Sequence, residues 1–182
     1  MRLNLPITQQ EREIDAYASI VCQTDIKGCI TYVNPAFVAI SGFTEQELLG
    51  APQNIVRHPD MPEVVFGDMW NTLRSGLPWS GLVKNRCKNG DFYWVRTNVT
   101  PTWERGVCSG YMAVCTWASR ADIDAADKAY CKLEKEYARI SAQRGKADPL
   151  RRSMPAAILL VARAAADMAR SMMRAVPAGQ PG

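Results

Sequence analysis

SGLVKNRCKNGDFYWVRTNVT, the run from Ser80 to Thr100, decides the architecture. Two stretches rich in β-branched and aromatic residues flank Asn89-Gly90. That dipeptide is a strong signal for a two-residue hairpin, because both residues tolerate the positive φ such a turn needs. Reading forward, Pro101 and Glu104-Arg105-Gly106 mark the next turn, and Ser109 to Trp117 returns as a third strand. Reading backward, Ile20-Val21-Cys22 and Cys29 to Val33 form another hairpin around the turn Asp25-Ile26-Lys27-Gly28. Helix signals fill the gap between the two sets of strands. Asn34-Pro35 suits a helix start, with Asn as cap and Pro at the first helical position, and Gly42 supplies a left-handed end. Thr44-Glu45-Gln46-Glu47 is a capping box, and Gly50 ends that helix. Asp60-Met61-Pro62-Glu63 repeats the capping logic ahead of a helix that puts Val65, Phe66, Met69 and Leu73 on one face, Glu63, Asn71 and Arg74 opposite, and stops at Gly76. The order β-β-α-α-α-β-β-β predicts an α+β fold, one antiparallel sheet with short helices on one face.

Composition narrows the class. The chain has 182 residues, 47% of them apolar, 22% charged and 8% aromatic, which suits one packed domain plus an extension and not a disordered chain. No apolar run reaches the ~20 residues of a spanning helix; the longest, Pro155 to Ala162, meets Arg163. The N-terminal residues reach Glu11, Arg12, Glu13 and Asp15 before any apolar stretch, unlike a secretory signal, so a cytoplasmic location is expected. In that reducing setting the six cysteines read as small apolar residues, not disulfides, and none forms a C-x-x-C pair. The lone histidine, His58, has no cysteine close in sequence to make a zinc site. The net charge of +4 sits mostly from Asp148 onward, where five arginines face two aspartates, so the folded part lacks the basic surface of a nucleic-acid binder.

The phrases Asn34-Pro35-Ala36-Phe37, Ser41-Gly42-Phe43-Thr44, Glu47-Leu48-Leu49-Gly50 and Lys88-Asn89-Gly90 resemble those of PAS sensory domains. The likeness sharpens with Asn54-Ile55-Val56-Arg57-His58-Pro59-Asp60-Met61-Pro62, Asp68-Met69-Trp70, Pro78-Trp79-Ser80-Gly81, Val83-Lys84-Asn85-Arg86 and Tyr93-Trp94-Val95-Arg96. Together they resemble the PAS domains of bacterial aerotaxis (energy-taxis) receptors over residues 5 to 135. The resemblance implies a five-stranded PAS fold and a non-covalently held FAD whose redox state is signalled onward. It assigns FAD retention to Arg57, His58, Asp60 and Trp79, and carries Asn34 and Asn85 as pocket residues that tune the signal.

Those residue types suit the ligand. A pyrophosphate asks for cationic donors, an isoalloxazine ring for an apolar slot, stacking and a few amides. Arg57 offers a rigid fork, His58 a donor that can carry part of a positive charge, Trp79 a flat surface, and Asn34 and Asn85 amides that donate or accept. Structural roles compete at each position. Asp60 and Asn34 are good helix caps, Trp79 an ordinary core aromatic, and His58 a satisfied structural histidine. Trp70 and Phe66 read first as core. A light-oxygen-voltage photoreceptor would need a cysteine where this chain has Asn54 to Asp60, and none is there; a haem-binding PAS would have only His58 as axial ligand.

The chain divides into a polar extended or capping segment (1–17), the sensor domain (18–118), a helical connector (119–147) and a basic tail (148–182). In the connector, Ile123, Ala126, Tyr130, Leu133, Tyr137 and Ile140 are spaced 3-4-3-4-3, the seam of a short coiled coil. It can pair in a dimer or lie on the domain's own sheet. In the tail, Arg163, Asp167, Arg170 and Arg174 oppose Val161, Ala165, Met168 and Met172, a shallow amphipathic helix capable of weak contact with an anionic membrane or a partner. The expected function is an FAD-binding redox or oxygen sensor without enzymatic activity, acting on a homodimer partner, a chemoreceptor or another signalling protein. The alternatives are a cofactor-free interaction module and a haem-binding sensor.

Overall fold

The computed structural model describes residues 4–144, with side chains through Arg139; the basic tail and the membrane contact expected of it lie outside the described residues. Five strands, β1 (Ile20–Asp25), β2 (Ile30–Val33), β3 (Trp79–Arg86), β4 (Phe92–Glu104) and β5 (Val107–Thr116), form one antiparallel sheet in the order β2-β1-β5-β4-β3. Between β2 and β3 lie α1 (Pro35–Ser41), α2 (Glu45–Leu48), a 3-10 turn (Gln53–Val56) and α3 (Glu63–Arg74); α4 (Arg120–Arg144) follows β5.

Local chemistry explains most boundaries. Asn34 Oδ1 accepts from Phe37 N–H, and Gly42 closes α1 with φ 71°. Thr44 and Glu47 exchange the reciprocal bonds of a capping box. β1 runs on to Asp25 and β5 begins at Val107, and three further boundaries differ from the sequence reading. Asn89-Gly90 does turn a hairpin, but β3 ends at Arg86, Gly90 N–H donates to the Cys87 carbonyl, and Cys87 N–H donates to that of Asp91. Only Gly90 has positive φ (101°), so the loop holds three residues with glycine at the left-handed position. β4 runs through Pro101 to Glu104, because β3 stops opposite Val99 and β4 pairs with β5 alone from there. Finally, Asp60 does not cap α3; Pro62 occupies that position, with no side-chain cap.

Alternation on the strands separates two buried layers. Cys22, Val83, Asn85, Thr97, Val99, Tyr111, Ala113 and Cys115 face the 3-10 turn and α3. The intervening Leu82, Trp94 and Arg96 face α4 on the opposite side. There Tyr130 stacks on Trp94 (centroids 6.5 Å apart, 15° between planes) and its hydroxyl donates to the Leu82 carbonyl at 2.7 Å. Arg96 pairs with Asp122 at 2.8 Å, and Ile123, Ala126, Tyr130 and Leu133 are all buried. The first four positions of the connector's 3-4 seam, Ile123 to Leu133, are thus covered by the chain's own sheet, while Tyr137 is exposed.

The N-terminal segment is a strap across the loop end of the domain. Thr8 N–H donates to the Gly90 carbonyl, Arg12 N–H to that of Phe92, and Phe92 N–H to that of Gln10. Arg86 holds the Leu5 and Pro6 carbonyls at 2.8 and 2.7 Å, and Asn4 Nδ2 donates to the Asn54 and Arg57 carbonyls.

Candidate functional site

Between the inner face of the sheet and α3 lies a cavity in two adjoining parts. The inner part is a slot walled by Phe66, Met69, Trp70 and Leu73 of α3 and by Val83, Asn85, Thr97, Val99, Tyr111 and Cys115 of the sheet. It leaves room of about 50 Å³, space for only a water or two. The outer part is an open groove of about 640 Å³ between the β1–β2 turn, the segment 52–57 and α3. Gln53, Arg57, Phe66, Met69, Trp70 and Tyr111 border both.

Arg57 stands at the junction. Its guanidinium lies 4.9 Å from the centroid of the Phe66 ring, and one terminal nitrogen donates to the Met61 carbonyl at 2.6 Å. Its Nε is buried without a hydrogen-bond partner, and burial lowers the pKa of the group, the carboxylates of Glu63 and Glu134 acting in the opposite direction. A buried guanidinium N–H without an acceptor is costly, and an oxygen-rich ligand would remove that cost. Asn85 lines the slot from β3, bridged to Arg57 through the backbone and opposite Tyr93 in the β3–β4 register. The Tyr93 hydroxyl is also buried and unpartnered, and its pKa is raised by burial. On the slot's sheet side, burial pushes the Cys22 thiol up to about 12 and the Cys115 thiol up to about 11, so both stay protonated and unreactive.

The other sequence candidates lie elsewhere. His58 is 1% exposed and is not among the lining residues of either compartment; it packs edge-on to Phe92, ring centroids 5.9 Å apart. The Asp60 N–H donates to His58 Nδ1 at 3.2 Å, leaving the proton on Nε2, which has no partner. Burial first, and then the nearby Lys84 cation, push the His58 pKa down to about 4, so the ring is neutral at pH 7 and does not carry the partial charge expected of it. The Asp60 carboxylate is exposed and pairs with Lys84 at 2.8 Å. Trp79 is 2% exposed, and its indole N–H donates to Asp68 of α3 at 3.0 Å. Asn34 is engaged locally: Oδ1 accepts from Val21 and Phe37 N–H, and Nδ2 donates to the Ser19 carbonyl. Neither Trp79 nor Asn34 lines the cavity.

Several lining residues escaped the sequence reading. Thr97, Tyr111 and Cys115 were accessible through the period-two alternation of β4 and β5, which places them on the inner face. Lys27, Arg74 and Tyr137 come from three distant segments, and no spacing rule connects them.

The sheet order β2-β1-β5-β4-β3, the helical layer between β2 and β3, and the cavity beneath that layer define a sensory domain of the PAS class. Residues 30–114 match the family model described as the PAS fold, and they form a PAS domain. The chain is 49% identical over 127 residues to the aerotaxis receptor of Escherichia coli K12, covering 70% of this chain and 25% of the receptor. It is 32% identical over 92 residues to the nitrogen fixation regulatory protein of Klebsiella pneumoniae, covering 50% of this chain and 19% of that protein. It therefore spans about a quarter or less of the length of these relatives. Among solved structures, the light-state blue-light photoreceptor Aureochrome1 LOV matches with a TM-score of 0.54 at 18% identity, over 64% of this chain and 91% of that one, a likeness of fold. Among the described residues no helix is long and apolar enough to cross a membrane.

Proposed function

We propose that the domain is a cytoplasmic redox-sensing module that holds FAD non-covalently and passes its redox state to a signalling partner, as in aerotaxis. The observation that carries this reading is the two-part cavity with the buried, unpartnered Arg57 Nε at its junction. The 49% identity to the aerotaxis receptor supports it independently. When bound, a flavin would supply a reversible redox couple whose ring takes up electrons and a proton. Arg57 would grip an anionic or carbonyl oxygen, and the apolar walls would exclude water from the ring. Asn85, whose amide both donates and accepts, would answer a change in protonation at the ring edge. It stands three residues from Leu82, whose carbonyl takes the Tyr130 hydroxyl of α4. A shift in β3 therefore reaches α4 within one strand. The domain acts as a sensor, not a catalyst, in this reading.

One observation favours a cofactor-free interaction module instead: the inner slot holds about 50 Å³, so a three-ring system enters only with Phe66, Met69 or Trp70 rotated aside. Haem finds less support, since His58 lies outside the cavity. The test is reconstitution of the full chain. Purified protein should be yellow or become so with FAD, bleach on reduction, and lose binding in Arg57→Ala while remaining folded by circular dichroism. Protein that stays colourless after incubation with FAD selects the interaction module.

A further inference from the structure

The loop from Arg57 to Met61 is closed on itself and held by contacts that lie outside the cavity. The Met61 N–H donates to the His58 carbonyl at 3.1 Å, the Asp60 N–H to His58 Nδ1 at 3.2 Å, and the Arg57 guanidinium to the Met61 carbonyl at 2.6 Å. Two other elements grip it. Asn4 of the N-terminal strap donates to the Asn54 and Arg57 carbonyls at 2.8 and 2.9 Å. Lys84 of the edge strand β3 reaches the Asp60 carboxylate at 2.8 Å, and its ammonium lies 4.3 Å from the centroid of the Phe92 ring, against which His58 packs edge-on. The Lys84 side chain is only 13% exposed, so its charge is held between that carboxylate and that ring. None of Lys84, Asp60 and His58 lines the cavity; Arg57 does, with its Nε buried and unpartnered.

We propose that Lys84 is a positioning residue of the cofactor site: through Asp60 and Phe92 it clamps the 57–61 loop onto β3 and so fixes where Arg57 enters the cavity. Resting on the flavin reading, this role makes Asp60 the partner of Lys84 and not a contact of the ligand. A carboxylate facing an anionic ligand would repel it, whereas one neutralised by Lys84 leaves the charge of Arg57 to the ligand. Direction matters as much as charge. A guanidinium grips an oxygen only along its N–H bonds, so a loop that rocks changes where Nε points. An ion pair with one partner largely exposed adds little to global stability, so the clamp acts on the loop and not on the fold as a whole.

The test measures FAD affinity on the full chain by calorimetry and flavin fluorescence. The variants are Lys84→Gln, Asp60→Asn, the two combined, Lys84→Arg and, as a control, Lys88→Gln, which breaks the separate ion pair to Glu47 of α2. Lys84→Gln and Asp60→Asn should each weaken FAD binding about fivefold, the scale of a partly exposed ion pair, and the double variant no more than either. Lys84→Arg, which keeps the charge, and Lys88→Gln should bind as wild type does. Losses that multiply to about twenty-five-fold in the double variant, or a loss in Asp60→Asn that Lys84→Gln does not share, would put the Asp60 carboxylate on the ligand and overturn the clamp. Amide exchange on the flavin-free chain reads the loop without the cofactor. Lys84→Gln should speed exchange at Met61 severalfold and leave Val99, paired on both sides in β4, unchanged. Unchanged exchange at Met61 would overturn the clamp whatever the flavin does. Wild type that binds no FAD while Met61 responds as expected would overturn the flavin reading, and with it the assignment of Lys84 to a cofactor site.

Discussion

Tyr130→Phe isolates one atom that ties α4 to the sheet. The hydroxyl donates to the Leu82 carbonyl at 2.7 Å in a buried setting, and burial raises its pKa, so it is always a donor. Removing it keeps the ring and its stack on Trp94 but leaves the Leu82 carbonyl without that donor on the edge strand. Leaving a buried acceptor unsatisfied costs about 1–3 kcal/mol. At a urea slope of ~2 kcal/mol/M, a loss of about 2 kcal/mol lowers the midpoint by about 1 M without changing the slope. Urea melts followed by tryptophan fluorescence and far-ultraviolet dichroism at two protein concentrations give both quantities. Leu133→Asp, which puts a charge at a position 3% exposed, should be worse and equally independent of concentration. A midpoint unmoved by Tyr130→Phe, or one that rises with concentration and loses that dependence in Leu133→Asp, would show that the seam serves a second copy of the chain and refute the packing argued above.

Asn34→Ala removes a cap and a β1 tether together, so it should destabilise by about 1–2 kcal/mol in a urea melt while FAD affinity at saturating fold stays unchanged. His58 gives a pH signature. Its folded pKa of about 4 lies below the ordinary 6.5, so the unfolded chain binds more protons between those values, and stability falls as pH drops from about 6.5 to about 4. His58→Gln should flatten that slope relative to wild type in melts across the same window; parallel slopes would place the acid loss elsewhere.

Most of the fold could be read from the sequence because its signals are local. Caps, turns and strand alternation are settled within a few residues, and Asn34, Thr44 and Glu47 do in the structure what their neighbours in sequence dictate. The missed boundaries had causes outside the local window. Pro101 is tolerated in β4 because β3 has already ended on its other side, and Asp60 pairs with Lys84 instead of capping α3, which starts at Glu63. The site was less legible for the same reason. A block such as Arg57-His58-Pro59-Asp60 looks like one constellation, yet its three polar side chains point to three environments: Arg57 to the cavity, His58 into the core, Asp60 to solvent. Tyr137 reaches the groove only because α4 is long enough to pass the edge strand, a consequence of packing that no motif encodes.

That length gives α4 two attachments with different consequences. Its first half is fixed to the outer face of the sheet by Asp122, Ile123, Tyr130 and Leu133, none of which lines the cavity. Its second half meets the groove through Tyr137, and Glu134 lies close enough to act on Arg57. Under the flavin reading proposed above, an anion bound at Arg57 would also be felt at Glu134 of α4. In that reading a change of charge in the cavity would reach α4 through its second half while the first half stays packed on the sheet, and a connector that carries a signal needs such a division between a fixed end and a responsive one.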